Sequence, residues 1–560
     1  MNHCLNVHSS SCPHDPMASL PTRILDLGED LLSNVRLIES QGASGVWVSL
    51  SHCWGRTARF VTDSSNLTER EQGIDLTELP PTFRDAVVIT RKLGYRYLWI
   101  DSLCIIQDSH QDWVHESGRM QDYYSLAVLT VASDVASGDH ESFLDNTRVR
   151  NRSVRIPYTT KACPQSVSVV IAANPVMPGL PPAQTHLSVR GWTLQEDVLS
   201  PRTLHYTSHE LYLECQMCIF AETDMTPRSY TDGDRSTSFK RYFLRPESIT
   251  SDIMVRGSSS SDWAPLYSPL ARWYRLFENY CTRSLTFEND RLAAIAGLAK
   301  EIQRQTGYTY KAGLWLEDIH TGLLWAVNGR GQRAASLPYR APSWSWASLD
   351  VEFLWGQDTN PNFQVYMHVW SWEKDMKSPH SAAILAGDAE TANDDASGTI
   401  NSSVLSLEGF MLPLEKWPRS ISVNMYWRKV TTYQNRSHVV GYKGALAVDQ
   451  LICDFDVDPN DNSSPSPDGD GESLDTEADD IELTRDQILQ AYPSNVQLFQ
   501  VIRYHLPGTV KSVIFCLLLV PCNSDDNEGD GAYQRMGVAA VPDVNTLGME
   551  GWERRHITLV

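Results

Sequence analysis

Val46-Trp-Val-Ser-Leu-Ser-His-Cys-Trp-Gly55 is the stretch that decides the fold, because a mostly apolar, β-branched run passes into small residues and a glycine. This pattern predicts a buried strand that ends in a turn. Residues 83–93 then repeat apolar side chains at helical spacing, and Gly94 stands where helices commonly stop. Tyr95-Arg-Tyr-Leu-Trp-Ile100 predicts a second strand, which ends at Asp101.

The same alternation continues downstream. We predict a helix over Gln111–Ser125 and a third strand over Ala127–Ala132. Strands that alternate with helices at this spacing form βαβ units, so the expected fold class is α/β with a parallel sheet. Right-handed crossovers then place Ser51 and Asp101 on one edge of the sheet, which is where ligands of such sheets bind.

Composition excludes several classes of protein. The chain has 560 residues, of which 42% are hydrophobic, and a net charge of −22 from 47 Lys+Arg against 69 Asp+Glu. The length predicts several domains, the hydrophobic content predicts a packed core, and the acidity argues against nucleic acid as a partner. No apolar run approaches the ~18 residues of a membrane span, and residues 1–16 lack the apolar core of a signal peptide. Eleven scattered cysteines are no disulfide framework, so we predict a cytoplasmic protein without a membrane partner.

Shifts in composition divide the chain into five parts. Residues 454–482 carry twelve acidic side chains and no Lys or Arg, which predicts a disordered acidic loop. The predicted parts are a flexible tail over 1–20, an α/β domain over 21–221 with its core motifs in 46–202, a connector over 222–262, a helical Trp-rich region over 263–350, and a β-leaning C-terminal region over 351–560 that contains the acidic loop.

Three motifs in the first half resemble one known family. Ser49-Leu-Ser-His-Cys-Trp-Gly55, Tyr97-Leu-Trp-Ile-Asp-Ser-Leu-Cys-Ile-Ile-Gln-Asp108 and Arg190-Gly-Trp-Thr-Leu-Gln-Glu196 are similar to the motifs of the fungal heterokaryon-incompatibility (HET) domain. Segments downstream, including Arg340-Ala-Pro-Ser-Trp-Ser-Trp-Ala-Ser348, are similar to the region that commonly follows this domain in filamentous fungi. One departure is Ile106, where much of the family has Asn. The resemblance makes residues 21–221 a HET domain.

The resemblance implies a function and a set of site residues. HET domains are associated with cell death when genetically different hyphae fuse, and they are considered similar to TIR domains, which are flavodoxin-like parallel sheets and some of which cleave NAD. On that likeness no cofactor or metal is expected, NAD is the expected substrate, and self-association or contact with other incompatibility or signalling proteins is favoured. A carboxylate beside the ribose would stabilise the oxocarbenium-like transition state. The implied catalytic residues are Glu196 and Asp101, and the implied substrate-binding residues are Ser51, His52, Trp54, Gly55 and Trp192.

Each of these residues has a structural alternative. Glu196 would be tied to Arg190 or Arg202, and Asp101 would cap the turn that follows it. Trp192 and His52 would be core residues, and Trp54 and Gly55 would shape the turn after the first strand.

Cysteine chemistry is a rival mechanism. Cys104 activated by His52 would be a nucleophile. Cys215-Gln-Met-Cys218 would be a zinc site or a redox pair, although no second pair lies near it in the sequence. Separately, metal-ligand residue types cluster in the tail without a second pair at standard spacing. Those in the tail are His3, Cys4, His8, Cys12 and His14.

At the level of the whole protein, two alternatives to an NAD hydrolase stay open: a non-catalytic signalling or interaction module, and an accessory protein of a secondary-metabolite pathway. Downstream, Trp344 and Trp346 alternate with serines. This pattern predicts a strand whose aromatic face packs in a core, and the alternative is a platform on which a sugar or a base stacks.

Overall fold

The computed structural model divides the chain into two compact units, one over Met1–Thr306 and the other over Gly307–Asp394 and Thr399–Val560. The described residues are 1–9, 12, 15–28, 34–55, 60–145, 153–160, 163–172, 185–222, 224–229, 240, 269–328, 340–348, 364–367, 383–384, 404–416, 428–433, 436–441, 447–448, 496–505, 512–522, 531–542 and 551–560. The predicted acidic loop 454–482 and nearly all of the predicted connector 222–262 lie outside these residues.

A nine-stranded sheet forms the centre of the first unit, in the order β11-β10-β9-β8-β5-β3-β4-β1-β2. A separate hairpin, β6–β7, pairs only with itself among the described strands. The strands are β1 Arg23–Asp26, β2 Arg36–Glu39, β3 Trp47–Ser51, β4 Tyr97–Trp99, β5 Leu129–Ala132, β6 Ser153–Thr160, β7 Cys163–Ala172, β8 Arg202–Tyr206, β9 Leu211–Cys215, β10 Cys218–Ala221 and β11 Asp224–Ser229.

Helices connect the strands of this unit and follow the last of them. They are α1 Asn2–Val7, α2 Leu67–Gln72, α3 Pro81–Lys92, α4 Asp101–Cys104, α5 His110–Ser117, α6 Met120–Ser125, α7 Gly191–Leu199, α8 Pro269–Cys281 and α9 Ala293–Thr306, with a 3-10 turn at Glu288–Arg291. The helix that the sequence predicts over residues 111–125 is two helices, which are separated at Gly118.

The sheet is mixed rather than parallel. The four central strands, β8, β5, β3 and β4, run parallel, as the βαβ pattern predicts. β1 and β2 on one side, and β9, β10 and β11 on the other, pair antiparallel. Within the β1–β2, β8–β9, β9–β10 and β10–β11 hairpins, the short connections cannot contain a crossover helix and therefore force antiparallel pairing. β1 also pairs antiparallel with β4, from which it is distant in sequence. The α/β class is confirmed, whereas the prediction of an entirely parallel sheet is wrong.

The sequence explains why the first βαβ unit forms. All five residues of β3 are buried, and α3 turns Phe83, Ala86 and Val87 into the same core. Gly94 follows the helix with a φ of +82°, in the left-handed region that glycine adopts without strain. The core of the domain therefore holds β3 and β4 in register and fixes where each strand ends.

The N-terminal residues differ from the predicted flexible tail. Residues 2–7 are helical, Ser19 forms a bridge with Ser44, and the side chains of Cys4 and Cys12 are fully buried. Cys4 and Cys12 pack against Cys215 and Cys218 on β9 and β10. These tertiary contacts cannot be predicted from the amino-acid composition of the tail.

The second unit is rich in strands, as predicted for residues 351–560. Its main sheet has the order β16-β17-β21-β22-β23-β20, and β24 pairs with both β17 and β23. The described elements are β12 Tyr310–Lys311, β13 Leu314–Trp315, β14 Trp325–Asn328, β15 Gln364–Met367, β16 Ala383–Ile384, β17 Leu405–Pro413, β18 Arg428–Tyr433, β19 Arg436–Gly441, β20 Ala447–Val448, β21 Gln497–His505, β22 Ser512–Pro521, β23 Ala532–Pro542 and β24 Glu553–Leu559, with helix α10 Ile319–Gly322 and 3-10 turns at Leu316–Asp318, Trp346–Ser348 and Leu414–Lys416.

The strand predicted around Trp344 and Trp346 is wrong, because residues 346–348 form a 3-10 turn. Both indoles are buried: Trp346 donates to the carbonyl of Gly313 at 3.0 Å, and the carbonyl of Trp344 accepts from Trp325 at 2.9 Å. These tryptophans are core residues of the second unit, so no stacking platform is open at this position.

The division between the two units differs from the predicted domain boundary. The division between the units at Thr306 falls inside the predicted region 263–350, because α9 packs on α7 and so joins the first unit. Among the described residues, no helix combines the length and the apolar character needed to cross a membrane.

Candidate active site

Polar side chains converge at the carboxyl ends of the parallel strands β3 and β4. Ser51 is the last residue of β3, Asp101 begins the helix that follows β4, and Glu196 projects from α7. The hydroxyl of Ser51 donates a 2.5 Å hydrogen bond to Oε2 of Glu196. We call Ser51, His52, Asp101, Tyr124 and Glu196 the Glu196 cluster.

Glu196 is a carboxyl group with an altered titration. Its pKa is raised to about 7, mainly by burial and next by the nearby charge of Asp101. Hydrogen bonds from Ser51 and Tyr124 and the charge of Arg190 act in the opposite direction. Because desolvation dominates, Glu196 exchanges its proton near neutral pH, as a general acid or base does.

His52 lies in the cluster as a neutral ring. Burial lowers its pKa to about 4, although the charge of Asp101 opposes that effect. Its Nδ1 is 3.6 Å from Oδ1 of Asp101 and makes no hydrogen bond, and the ring packs edge-on against Phe83. His52 is therefore buried more deeply than the half-buried histidine of the structural alternative, and its Nδ1 is not satisfied by a hydrogen bond.

Asp101 performs the capping role that the sequence offers as its structural alternative. One carboxylate oxygen accepts from the backbone N–H of Ser102 at 2.8 Å, and the other accepts from Nε1 of Trp54 at 2.9 Å. Its side chain is 16% exposed, whereas Glu196 is 3% exposed. Asp101 and the half-buried Trp54 therefore form the accessible side of the cluster.

Gly55 shapes the turn after β3. Its φ is +77°, and a Cβ at this position would lie 3.2 Å from the Cα of Gly138. A Cβ on Gly138 would in turn lie 2.9 Å from the Cα of Gly55, so the two backbones cross at a distance that only glycine allows on both sides. This crossing fixes the direction in which Trp54 leaves the strand.

The indole of Trp192 makes a polar contact outside the Glu196 cluster. Trp192 lies on α7 four residues before Glu196, as the spacing predicts, and its ring packs against the domain core. Its Nε1 donates to Oδ2 of Asp290 at 3.1 Å, in the turn before α9. Burial raises the pKa of that aspartate to about 6. Trp192 therefore links α7 to the 3-10 turn that precedes α9.

Two further residues complete the site, and the sequence analysis gave neither of them a catalytic role. Tyr124, on α6, donates its hydroxyl to the carbonyl of Leu50 at 3.1 Å, and it lies close enough to Glu196 to lower the pKa of that carboxyl group. Arg190 donates to the carbonyl of His52 and does not form the direct tie to Glu196 that was considered. Both residues belong to the quoted motifs or follow them closely, and that is the only signal that points to them.

The cysteine mechanism loses its support. Burial raises the pKa of the Cys104 thiol to about 12 and also raises that of Cys53, whose Sγ donates to the carbonyl of His186 at 3.4 Å. An activated nucleophile requires the opposite shift. Neither cysteine is therefore suited to attack a substrate.

A second buried cluster surrounds His205 on β8. Its ring nitrogens lie 2.8 Å from Asp134 and 3.4 Å from Glu214, and Lys240 lies 3.2 Å from Asp197 beside it. Although burial lowers the pKa of His205, the carboxylates outweigh that effect and raise it to about 10. This group is therefore charge-paired, and one ligand atom each from Asp197, His205 and Glu214 lies within 4.8 Å of the others.

The comparisons with known proteins identify this segment. The family model for the heterokaryon incompatibility protein (HET) matches residues 47–196, which run from β3 to the glutamate of α7. The chain therefore contains a HET domain, and the match spans the strand ends and the helix that carry the Glu196 cluster. No curated protein and no solved structure matches the chain.

Proposed function

We propose that this heterokaryon incompatibility-type protein acts in a non-self response that ends in cell death, and that its HET domain hydrolyses NAD at the Glu196 cluster. The proposal includes a TIR-like kinship of the domain, self-association, and partners among other incompatibility proteins. The observation that carries it is the convergence of Ser51, Asp101 and Glu196 at the carboxyl ends of parallel strands.

The proposed reaction uses two carboxyl groups and water. The bond between C1′ of the ribose and the nicotinamide nitrogen breaks, and its electron pair leaves with nicotinamide. Negative charge at Asp101 and Glu196 stabilises the positive charge that develops on the ribose. Water then adds to C1′ and passes one proton to Glu196, which releases it to solvent, so the products are nicotinamide, ADP-ribose and a proton. A pKa of about 7 suits Glu196 to this proton transfer.

Access to Glu196 is part of the proposal, because that side chain is almost completely buried. Trp54 and Asp101 are the accessible members of the site and are joined by one hydrogen bond. Opening of this bond would let the ribose approach the buried carboxyl group. Binding of NAD would then be accompanied by a change in the environment of Trp54.

Release of nicotinamide from NAD by the purified full-length chain tests the proposal. We expect Glu196→Gln to lower the rate by at least about 100-fold, because the amide cannot accept the proton. Glu116→Gln is the matched control, since Glu116 is also buried and accepts a 2.5 Å hydrogen bond, from Tyr123, outside the cluster. The hydrolase proposal is wrong if the wild-type chain releases no nicotinamide at any protein concentration.

A second candidate function is a non-catalytic interaction module. The observation that favours it is the burial of Glu196 together with the hydrogen bond that it accepts from Ser51, which is also the arrangement of a structural tie between α7 and β3. Expression in a filamentous fungus separates the two functions. If Glu196→Gln kills cells as well as wild type does, without a fall in cellular NAD, the module and not the hydrolase accounts for the protein.

A further inference from the structure

Four sulfur atoms and one imidazole gather at the β9–β10 end of the first unit. Cys4 lies on α1, His8 and Cys12 follow it, and Cys215 and Cys218 flank the turn between β9 and β10. None of the four cysteines forms a disulfide, and all four are buried. The tail and the hairpin, about 200 residues apart in sequence, thus contribute to a single cluster.

The distances within the cluster are those of a metal site. One ligand atom each from Cys4, His8, Cys12 and Cys215 lies within 4.8 Å of all the others. Within this set, Sγ of Cys215 is 3.7 Å from Nδ1 of His8. Cys218, whose Sγ lies 3.8 Å from that of Cys215, is not one of the four. Sulfurs bonded to one tetrahedral zinc at about 2.3 Å lie about 3.8 Å apart, whereas a disulfide requires about 2.05 Å.

The chain before the hairpin presents its ligands from one side. The N–H of His8 donates to the carbonyl of Cys4 at 3.0 Å, and the N–H of Cys12 donates to that of His8. This spacing of four residues is helical and aligns the three side chains on one face. The backbone alone therefore directs Cys4, His8 and Cys12 toward Cys215.

The environment of Arg202 independently indicates negative charge at the cysteine sulfurs. Arg202 is completely buried on β8, and its guanidinium donates to Sγ of Cys4 at 3.2 Å and to the carbonyls of Cys12 and Val128. No carboxylate pairs with it in the part of the chain that the structure describes. A buried cation without a counter-charge is costly, so the structure calls for negative charge at the sulfurs.

We propose that Cys4, His8, Cys12 and Cys215 bind one zinc ion that fastens the N-terminal residues to the β9–β10 hairpin. Three thiolates and Zn²⁺ leave one net negative charge, which Arg202 neutralises from the second layer of contacts. Thiolate and imidazole ligands in a tetrahedral set select zinc. Four protein ligands leave no open position, so the site is structural. Cys218 lies outside the first layer of ligands.

Metal analysis of the reduced, full-length protein tests the site. We expect about one zinc per chain by mass spectrometry of the elements, and less than about a tenth of that in Cys4→Ser or Cys215→Ser. Cys522→Ser, which removes a partly exposed thiol of the second unit, is the matched control and keeps the zinc. Cys218→Ser should also keep it, and loss there would overturn the ligand assignment.

Cobalt substitution of the wild-type protein keeps the test informative if the variants fail to fold. Co²⁺ added to metal-free protein should saturate at about one equivalent with strong thiolate charge-transfer bands and the d–d bands of a tetrahedral site. Absence of bound metal after addition of equimolar zinc, or a mass lower by two hydrogens for each disulfide in the protein as purified, would overturn the proposal.

Discussion

Ser51 and Glu196 lie 145 residues apart in the chain, yet the hydroxyl of one donates to the carboxyl group of the other across 2.5 Å. This bond joins the end of β3 to the middle of α7, the first and the last elements of the segment that the HET family model matches. It also lowers the pKa of a carboxyl group that burial raises. The same contact therefore contributes to the fold and to the titration of the site.

Ser51→Ala should raise the pKa of Glu196 above about 7, because the hydrogen bond to the ionised form is lost. It should also lower the free energy of unfolding by about 1–3 kcal/mol. Infrared titration of the protonated carboxyl band, assigned with Glu196→Gln, measures the first effect. Ser49→Ala is the control, since Ser49 is buried on the same strand but donates to the carbonyl of Tyr123. A shift of equal size in both variants would contradict the assignment.

Glu196→Gln should become more stable relative to wild type as the pH rises. The folded pKa of about 7 exceeds the ordinary 4.5, so the unfolded chain releases this proton first and wild-type stability falls as the pH rises between those values. The full difference is about 3 kcal/mol. Urea unfolding of both proteins at about pH 4.5 and about pH 8 measures it. A difference that is constant with pH would show that Glu196 titrates normally.

Gly297→Ala should destabilise the contact between α7 and α9. A Cβ there would lie 2.5 Å from Oε1 of Gln195, whose carbonyl oxygen accepts from the N–H of Gly297 at 2.9 Å. We expect a loss of about 1–3 kcal/mol, from overpacking and from the unsatisfied N–H. The double variant Gln195→Ala/Gly297→Ala should recover part of that loss, because the clash is removed. Urea unfolding of the wild type, the two single variants and the double variant gives a double-mutant cycle. Strictly additive changes in the free energy of unfolding would contradict a direct contact between the two residues.

Gly313→Ala should destabilise the second unit. The φ of Gly313 is +92°, and its Cβ would lie 2.4 Å from Nε1 of Trp346, which donates to the carbonyl of the same glycine. Strain and overpacking together should cost at least about 2 kcal/mol. Gly322→Ala, whose nearest contact would be 3.5 Å, is the control and should change stability by less than about 1 kcal/mol. Tryptophan fluorescence during urea unfolding compares the two, and equal effects would contradict the packing.

Local signals were sufficient for the centre of the first domain. The apolar run of β3, the helical spacing of α3 and the glycine after it lie within one stretch of chain, so sequence alone predicts them and the meeting of Ser51 with Asp101. The antiparallel flanks, the hydrogen bond of Trp192 to Asp290 and the turn at Trp346 depend on tertiary partners. No pattern along the chain encodes those partners.

The cysteine cluster shows the same limit most clearly. Along the chain, Cys4, His8 and Cys12 are an incomplete set, and the pair at Cys215 and Cys218 is another. Each has too few ligands to predict a metal. Only the folding of the sheet brings the two sets within 4.8 Å.

The strand order has a practical consequence for anyone who isolates the segment that defines the family. Residues 47–196 include β3, β4 and β5 but omit β1, which covers β4, and β8, which covers β5. A fragment cut at those limits would have two exposed edge strands. Their unpaired backbone N–H and C=O groups can pair with the edge strands of other molecules, which promotes aggregation. A recombinant fragment should therefore include the flanking hairpins on both sides, so that its measured stability and activity represent those of the domain.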